Sequence, residues 1–553
     1  MDNTKLAELL FPDVNNTPEY YEEKFPYRKL PNKAQVTRMA PSPTGFIHLG
    51  NLYSALADER IAHRNGGVFY LRIEDTDEKR KVDGAVETII NVLRYFDIEF
   101  DEGAGFPDDA PQNVYGPYFQ RQRVEIYHVY AKSLVERGLA YPCFCTEEDL
   151  EKVRLQQEAD KVLTGYYGEY AHCRNLSYDE IKTKLDAGET YVLRLRSQGN
   201  PDREITFTDS IMGEIKLPEN IHDIVLLKRD GVPTYHFAHA IDDHLMRTTT
   251  VIRGGEWLAS VPTHYELFHV LGFKMPAYGH TAHLMKFDEE TGGKRKLSKR
   301  KDPELSLDYY RKDGYHPRTM KVYLLTLLNS NFEEWYEKFP DKDINEFPFS
   351  IEKMSQSGAL FDKDKLHNIC KNELSKLSEY EMYDFLYDWA MENEPDKAVI
   401  WFADREKMLS ILRLYMGIGM KRRRKDFIYA KQIFELIGYF FGTGEDTVSD
   451  TFKMDADITK AVLNEYLATY DHNWDNSQWF DNLKVIADKF GFASDMKAYK
   501  ANPENYKGSI SDIAEMVRIA VTGMANTPDL WSIIHIIGEQ GIRDKINEAI
   551  DSL

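Results

Sequence analysis

The 553-residue chain reads as an α/β protein in which an open, Rossmann-like sheet is interrupted by an inserted α+β module and followed by an all-α C-terminal region. Three observations predict this. Gln35 to Arg80 runs strand, loop, helix, strand; short β-rich runs return at Asp223–Lys228 and Val251–Arg253; and from residue 351 onward the pattern is helical with little strand signal. The hydrophobic content of 42% suffices for real cores, and the length suggests several domains.

Residues 1–33 alternate aromatics, prolines and acids (YYEEKFPYRKLP), which predicts a docked extension with one short helix. Val36 to Ala40 is apolar enough for a buried strand. Pro41 and Pro43 then hold the backbone extended, and Gly45 frees a turn. From Leu49 the pattern becomes helical, with Leu52, Ala55 and Leu56 on one face, until Asn65-Gly66-Gly67 stops it. Val68 to Ile73 is the second strand and delivers Glu74, Asp75 and Asp77 at its end. Ligands of such βαβ units collect at the carboxyl ends of the strands, which is where Ser42, Thr44, His48 and Glu74 belong. A helix start favours phosphate, and Gly45 and Gly50 let a ligand approach the backbone. There is no G-x-G-x-x-G and no G-x-x-x-x-G-K-[ST], so neither dinucleotide nor P-loop chemistry is indicated.

Val82 to Phe96 fits an amphipathic helix, and Asp101 to Pro117 a loop rich in Gly, Pro and Asp. The expected divisions are an extension (1–33), the first sheet half (34–115), the inserted module (116–222), the second sheet half (223–275), a lysine-bearing region (276–350) and a helical region (351–553). The lysines lie in Lys294 to Lys301 (KRKLSKRK), a loop preceded by Gly292 and Gly293; a flexible point charge suits a triphosphate that rearranges.

Net charge is −21, yet phosphate contacts are local, and KRKLSKRK and Lys421–Lys425 (KRRRK) leave RNA binding open. No apolar run reaches 18 residues, and no secretory leader is visible. Four cysteines make no disulfide framework, so a reducing, cytoplasmic setting without membrane contact is expected.

Taken together, the motifs resemble those of bacterial glutamyl-tRNA synthetases, which are class I aminoacyl-tRNA synthetases. Arg38-Met39-Ala40-Pro41-Ser42-Pro43-Thr44-Gly45, His48-Leu49-Gly50-Asn51 and Arg72-Ile73-Glu74-Asp75-Thr76-Asp77 match that family's first signature. Lys296-Leu297-Ser298-Lys299-Arg300, about 250 residues after His48, resembles its KMSKS-type loop. The resemblance implies ATP-dependent activation of L-glutamate with Mg²⁺, then transfer to the 3′-terminal adenosine of tRNA(Glu), with tRNA(Gln) open as a second acceptor. It implies catalytic roles for His48, Lys296 and Lys299, and ATP contacts from Thr44, His48, Gly50, Glu256, Trp257, Lys296, Leu297, Ser298 and Lys299. Glutamate would be held by Arg38 and Tyr235 on the side-chain carboxylate, Arg253 on the α-carboxylate, and Glu74 with Ser42 on the ammonium; Ala40 and His239 complete that pocket. Two positions depart from the family pattern: His239 stands where many relatives have asparagine, and Gly255 replaces an acid often found before Glu256. The inserted module would bind the tRNA acceptor end, region 276–350 its stem, and the helical region its anticodon; a monomer is expected.

Some relatives bind zinc in that module, and the resemblance places Cys143, Cys145 and Cys173 as its ligands, with Tyr167, Tyr166 or His172 as the fourth. Three reduced, packed cysteines are the alternative. Arg422, Arg423 and Arg424, beside Phe427 and Tyr429, are a basic run interleaved with aromatics, a pattern that reads single-stranded bases and falls about where the resembling enzymes sense the anticodon. A glutaminyl enzyme usually ends in β-barrels, a short base-glutamylating relative lacks the last 200 or so residues, and a non-catalytic RNA-binding paralogue is expected to lose His48 or the lysine loop.

Overall fold

The computed structural model describes residues 2–43, 47–78, 82–288, 290–298, 301–356, 358–442 and 451–553. It divides into two compact units: Met1–Tyr309 with Lys321–Asp362, and Tyr310–Met320 with Lys363–Leu553.

The first unit is built on the strand–helix–strand motif. β1 (Val36–Met39) and β2 (Val68–Leu71) pair in parallel from Val36↔Val68 to Met39↔Leu71, and β3 (Glu102–Gly103) adds to β2 in parallel. Every residue of β1 is buried: Val36 and Met39 join the apolar core, while Thr37 donates to the Asp58 carbonyl and Arg38 faces Asp243. The connecting helix, Leu49–His63, ends where Gly67 packs on the strand start: a Cβ there would come within 1.9 Å of the Gln35 carbonyl oxygen, so only glycine lets the chain return alongside β1.

β4 (Ala140–Cys143) and β5 (Val192–Leu195) are antiparallel strands of the inserted module. β6 (Glu204–Asp209) and β7 (Gly213–Pro218) form a hairpin, and β8 (Val225–Leu227) follows. β9 (Thr250–Gly254) and β10 (Ala277–Thr281) are parallel. The sheet orders are β1-β2-β3, β4-β5-β8 and β7-β6-β10-β9. At the β1 edge the Thr249 amide donates to the Val36 carbonyl over 2.9 Å, and the Val36 amide donates to Thr249 Oγ1 over 2.8 Å. The β3-β2-β1 and β9-β10 runs therefore meet where strand order reverses, the place at which open α/β sheets form a crevice.

Two strands exchange the sheets expected from sequence. Asp223–Lys228 was expected to resume the main sheet, but β8 pairs with β5, and Leu226 and Leu227 are buried with Tyr141, Leu193 and Leu195. Glu204–Phe207, assigned to the module, instead extends β10 through β6, and Ile205 and Phe207 pack on Val251 and Tyr278. Alternation identifies a strand and its buried face; which sheet it joins depends on long-range pairing that local pattern does not carry.

β11 (Leu284–Asp288) and β12 (Gly293–Lys296) form an antiparallel hairpin, with β13 (Ala359–Leu360) parallel to β11. Lys294 and Lys296, expected in a loop, thus lie within β12, and Gly292, with φ of 68°, makes the turn before it.

The N-terminal extension is docked, with two short helices, Asn3–Leu10 and Pro18–Lys24, rather than one. Leu6, Ala7, Tyr21 and Phe25 are buried, and Glu22 pairs with His244 at 2.5 Å and Arg247 at 2.8 Å.

The second unit contains helices and no strand among its described residues. Its core centres on Trp389, Trp401, Leu412, Phe434 and Ile513. No helix is long and apolar enough to cross a membrane, among the described residues.

Candidate active site

The crevice at the ends of β1 and β9 opens into a cavity of about 360 Å³. Arg38, Ala40 and Ser42 enter it from β1 and the proline-held turn, His48 and Gly50 from the helix start, and Glu74 from just beyond β2. Tyr235 comes from the first residue of the helix Tyr235–Leu245, Arg253 from β9, Glu256 and Trp257 from the 3-10 turn that follows, and Lys296 and Leu297 from the end of β12. Both signatures, separated by about 250 residues in the chain, therefore face one cavity. Ser298 and His239 do not line it. Thr44 and Lys299 lie outside the described residues.

His48 is the N-cap of the helix Leu49–His63, where free amides and the positive end of the dipole favour a phosphate. Its amide donates to the Asn51 side-chain oxygen over 2.9 Å. Gly50 leaves room for the imidazole: a Cβ at Gly50 would stand 3.0 Å from His48 Nδ1. Burial lowers the His48 pKa, the Lys296 charge adds to that, and Glu256 opposes it. Lys296 is anchored from behind, because Arg295 is clamped by Asp302 at 2.6 and 2.7 Å and the Ser298 amide donates to the same carboxylate over 2.8 Å. Arg295 and that amide hold Asp302 at a pKa of about 2.

The two cavity arginines sit in unlike surroundings. Arg38 Nε is 3.4 Å from Asp243 Oδ2, and Arg72 donates to Asp243 Oδ1 over 2.6 Å and to Glu74 Oε1 over 3.1 Å. Arg253 Nε donates to His280 Nε2 over 3.0 Å, and its Nη1 is 3.1 Å from His264 Nδ1. Burial raises the Glu74 pKa, with Arg72 and Arg38 acting against that rise. Tyr235 stacks on His239 with ring centroids 5.6 Å apart and meets Trp257 at a tilt, 4.6 Å away. His239 spends its nitrogens behind this wall: Nε2 on the Tyr278 hydroxyl at 2.7 Å, and Nδ1 3.0 Å from Asp243. His239, expected to contact glutamate, is buried and does not line the cavity.

Sequence reasoning missed Asp58, which lines the cavity from the buried face of the helix Leu49–His63, and the His264, His280 and Asp209 set. An Asp among alanines and leucines at a core-facing helical position was the available signal for Asp58.

In the inserted module the sulfurs of Cys143, Cys145 and Cys173 all lie within 4.8 Å of one another, the one such group among the described residues. Tyr166 completes it, its hydroxyl 3.3 Å from both Cys143 Sγ and Cys145 Sγ. Tyr167 instead donates to the Leu163 carbonyl at the surface. Hydrogen bonds from Cys145, Cys173 and Tyr166 lower the pKa of the Cys143 thiol.

In the second unit Arg422–Arg424 form no helix but a loop between the helices Arg405–Met416 and Ala430–Ile437. Arg422 and Arg423 are exposed, while Arg424 is tied to Asp426 at 2.7 Å. The neighbouring aromatics face inward: Phe427 is buried on Tyr415, and Tyr429 stacks on Tyr315 with centroids 4.8 Å apart.

The family model for the catalytic domain of class I tRNA synthetases (E and Q) matches residues 35–368, and an anticodon-binding-domain model matches 396–550. The chain belongs to the class I tRNA synthetases of this E and Q family. It is 53% identical over the whole of both chains to a glutamate–tRNA ligase of Acetivibrio thermocellus, a match that includes the N-terminal extension. It is 45% identical to one from Clostridium perfringens, over 99% of this chain and all of the relative. A crystal structure of a glutamate tRNA ligase from Elizabethkingia meningosepticum, in complex with its amino acid, superposes with a TM-score of 0.71 at 28% identity, covering 94% of this chain and all of that one.

Proposed function

We propose that the cavity activates L-glutamate with ATP and that the chain is a glutamate–tRNA ligase. The observation that carries this reading is the convergence of His48 and Lys296 with Arg38, Glu74, Tyr235 and Arg253 on one cavity. Two arginines match the two carboxylates of glutamate, and one carboxylate, Glu74, matches its ammonium. Arg253 takes the α-carboxylate, and Arg38 with Tyr235 takes the side-chain carboxylate. ATP lies with its phosphates over the helix start at His48.

In the first half-reaction an α-carboxylate oxygen attacks the α-phosphorus. An acyl–phosphate bond forms, the bond to the β-phosphate breaks, and pyrophosphate leaves with the electron pair. Positioning and charge stabilisation carry such a step without a covalent enzyme intermediate. The helix start and His48 stabilise the α-phosphate oxygens, and Lys296 the departing pyrophosphate; Mg²⁺ arrives with ATP as a phosphate counter-ion. In the second half-reaction a hydroxyl of the terminal adenosine attacks the acyl carbon and AMP leaves.

The Cys143, Cys145, Cys173 and Tyr166 set fits zinc: three thiols and a phenol at tetrahedral-edge spacing. Zinc bound there would cross-link β4 to the segment around Cys173 and stiffen the module that receives the tRNA acceptor end. The test is aminoacylation with both transcripts: tRNA(Glu) should accept glutamate, whereas no charging of either tRNA(Glu) or tRNA(Gln) with glutamate would refute the assignment.

A further inference from the structure

Arg253 rests on neutral acceptors. Its Nε donates to His280 Nε2 over 3.0 Å, its Nη2 donates to the Trp257 carbonyl over 3.3 Å, and its Nη1 meets His264 Nδ1 at 3.1 Å. The guanidinium lies 4.7 Å from the centre of the Tyr278 ring. Arg38 and Arg72 are ion-paired with Asp243, whereas Arg253 forms no ion pair with a carboxylate among the described residues.

A guanidinium can only donate, so the ring nitrogens that face it must be unprotonated. His280 then carries its proton on Nδ1, which stands 2.6 Å from Asp209 Oδ2. His264 carries its proton on Nε2, 2.9 Å from His236 Nδ1. One hydrogen-bonded chain, His236–His264–Arg253–His280–Asp209, thereby sets three tautomers at once. Burial lowers the His264 pKa well below the ordinary imidazole value, and the nearby Arg253 charge lowers it further against Asp243. Burial likewise lowers that of His280. Neither ring competes with Arg253 by becoming a second cation.

We propose that His264 and His280 are positioning residues that seat Arg253 through bare ring nitrogens and so leave its positive charge unspent for a substrate carboxylate. The inference rests on the reading of Arg253 as the ligand of the glutamate α-carboxylate. A carboxylate in the same place would hold the guanidinium at least as firmly. It would also cancel the charge and repel the incoming carboxylate, since like charges a few ångströms apart in a buried site oppose one another strongly. Orientation and charge are thus supplied separately, and a neutral imidazole supplies the first without consuming the second.

Two variants of nearly equal shape separate this from a merely structural role. His264→Asn keeps an oxygen acceptor near the position of Nδ1 and stays neutral; His264→Asp offers the same acceptor with a charge. In glutamate-dependent ATP–pyrophosphate exchange with cognate tRNA present, His264→Asp should raise the glutamate KM about ten- to a hundredfold above His264→Asn, with the ATP KM of both within about twofold. Equal glutamate KM values for the two variants would overturn the proposal, as would a parallel rise in the ATP KM. His280→Gln, which keeps an acceptor at the Nε2 position, should hold the glutamate KM within about threefold of the parent; a larger rise would remove His280 from the seat. Arg253→Gln locates the fault: if it leaves the glutamate KM unchanged, the carboxylate reading itself fails and the proposal falls with it. If Arg253→Gln raises that KM while the His264 pair stays level, only the seat is wrong.

Discussion

Arg38 Nε and Asp243 Oδ2 face each other at 3.4 Å in complete burial, and the same carboxylate holds Arg72. Asp243 therefore neutralises part of two guanidiniums behind the cavity. Removing one partner of a buried ion pair costs about 3–5 kcal/mol because the other is left uncompensated, so Asp243→Asn should lower stability by that order in urea unfolding. The pH dependence follows. Burial alone would raise the Asp243 pKa, but Arg72 and Arg38 overturn that and hold it well below the ordinary 3.8. This stability is present above pH 3.8 and is lost as pH falls below it toward the depressed folded value. The acid limb of unfolding should flatten in Asp243→Asn; an unchanged acid limb would count against the pair.

Glu74 shifts the opposite way. Burial lifts its pKa above the ordinary 4.5, and it must be ionised to hold an ammonium. Glutamate KM should therefore climb as pH drops through a value above 4.5, earlier than an exposed carboxylate would allow. Glu74→Gln should show a high KM with no such slope. A wild-type KM that stays level across that window would remove Glu74 from the ammonium site.

Lys296 faces the cavity beside His48 and touches no part of the glutamate pocket in the proposed pose. Lys296→Ala should slow adenylate formation about 10²–10³-fold, by analogy with loss of one preorganised transition-state donor. Glutamate KM should move little. Pre-steady-state activation at wild-type rate would rule out the role.

For the thiol cluster, the discriminating pair is Tyr166→Phe and Tyr167→Phe. Tyr166 reaches two sulfurs at 3.3 Å, while Tyr167 turns to Leu163. Purified protein should carry close to one zinc per chain; Cys143→Ser should abolish it, and Tyr166→Phe should weaken its retention against a chelator while Tyr167→Phe does not. Metal analysis finding none in reduced wild-type protein would leave packed thiols as the answer.

Among the three loop arginines, exposure separates the candidates. Arg424 is engaged by Asp426, so Arg422 and Arg423 are the donors presented to solvent. Arg422→Ala or Arg423→Ala should weaken tRNA(Glu) charging with an altered preference over tRNA(Gln) if a base is read. Equal weakening of both tRNAs, with a salt slope reduced by about one, would identify a phosphate contact instead.

The helix stop at Gly66-Gly67 and the two strands around it were legible because glycine, proline and short apolar runs act locally, whereas the residues that line the cavity were named from their resemblance to the family's motifs. The strand exchange between β6 and β8 was not, since pairing partners lie far apart in the chain. Tyr166 and Tyr167 are adjacent and chemically equal, and only backbone direction decides which turns inward. Phe427 and Tyr429 looked like base-stacking platforms, but an aromatic beside a basic run is equally a core residue, and here both pack inward. His264 and His280 carry no motif; they matter through the tautomers that Arg253 imposes on them.

The hydrogen bonds between Val36 and Thr249 join residues 213 positions apart, and Glu22 reaches Arg247 across 225. At synthesis rates of about 5–20 residues per second, β1 leaves the ribosome at least about ten seconds before its β9-side partner exists. During that interval the exposed edge of β1 is a sticky strand, and the amino-terminal segment has no Arg247 to grip. Nascent chains arrested before Thr249 should therefore be cleaved by protease near β1, while chains arrested beyond β10 should resist. The outer edge of β1 is thus sealed only when Thr249, 213 positions later, has been made.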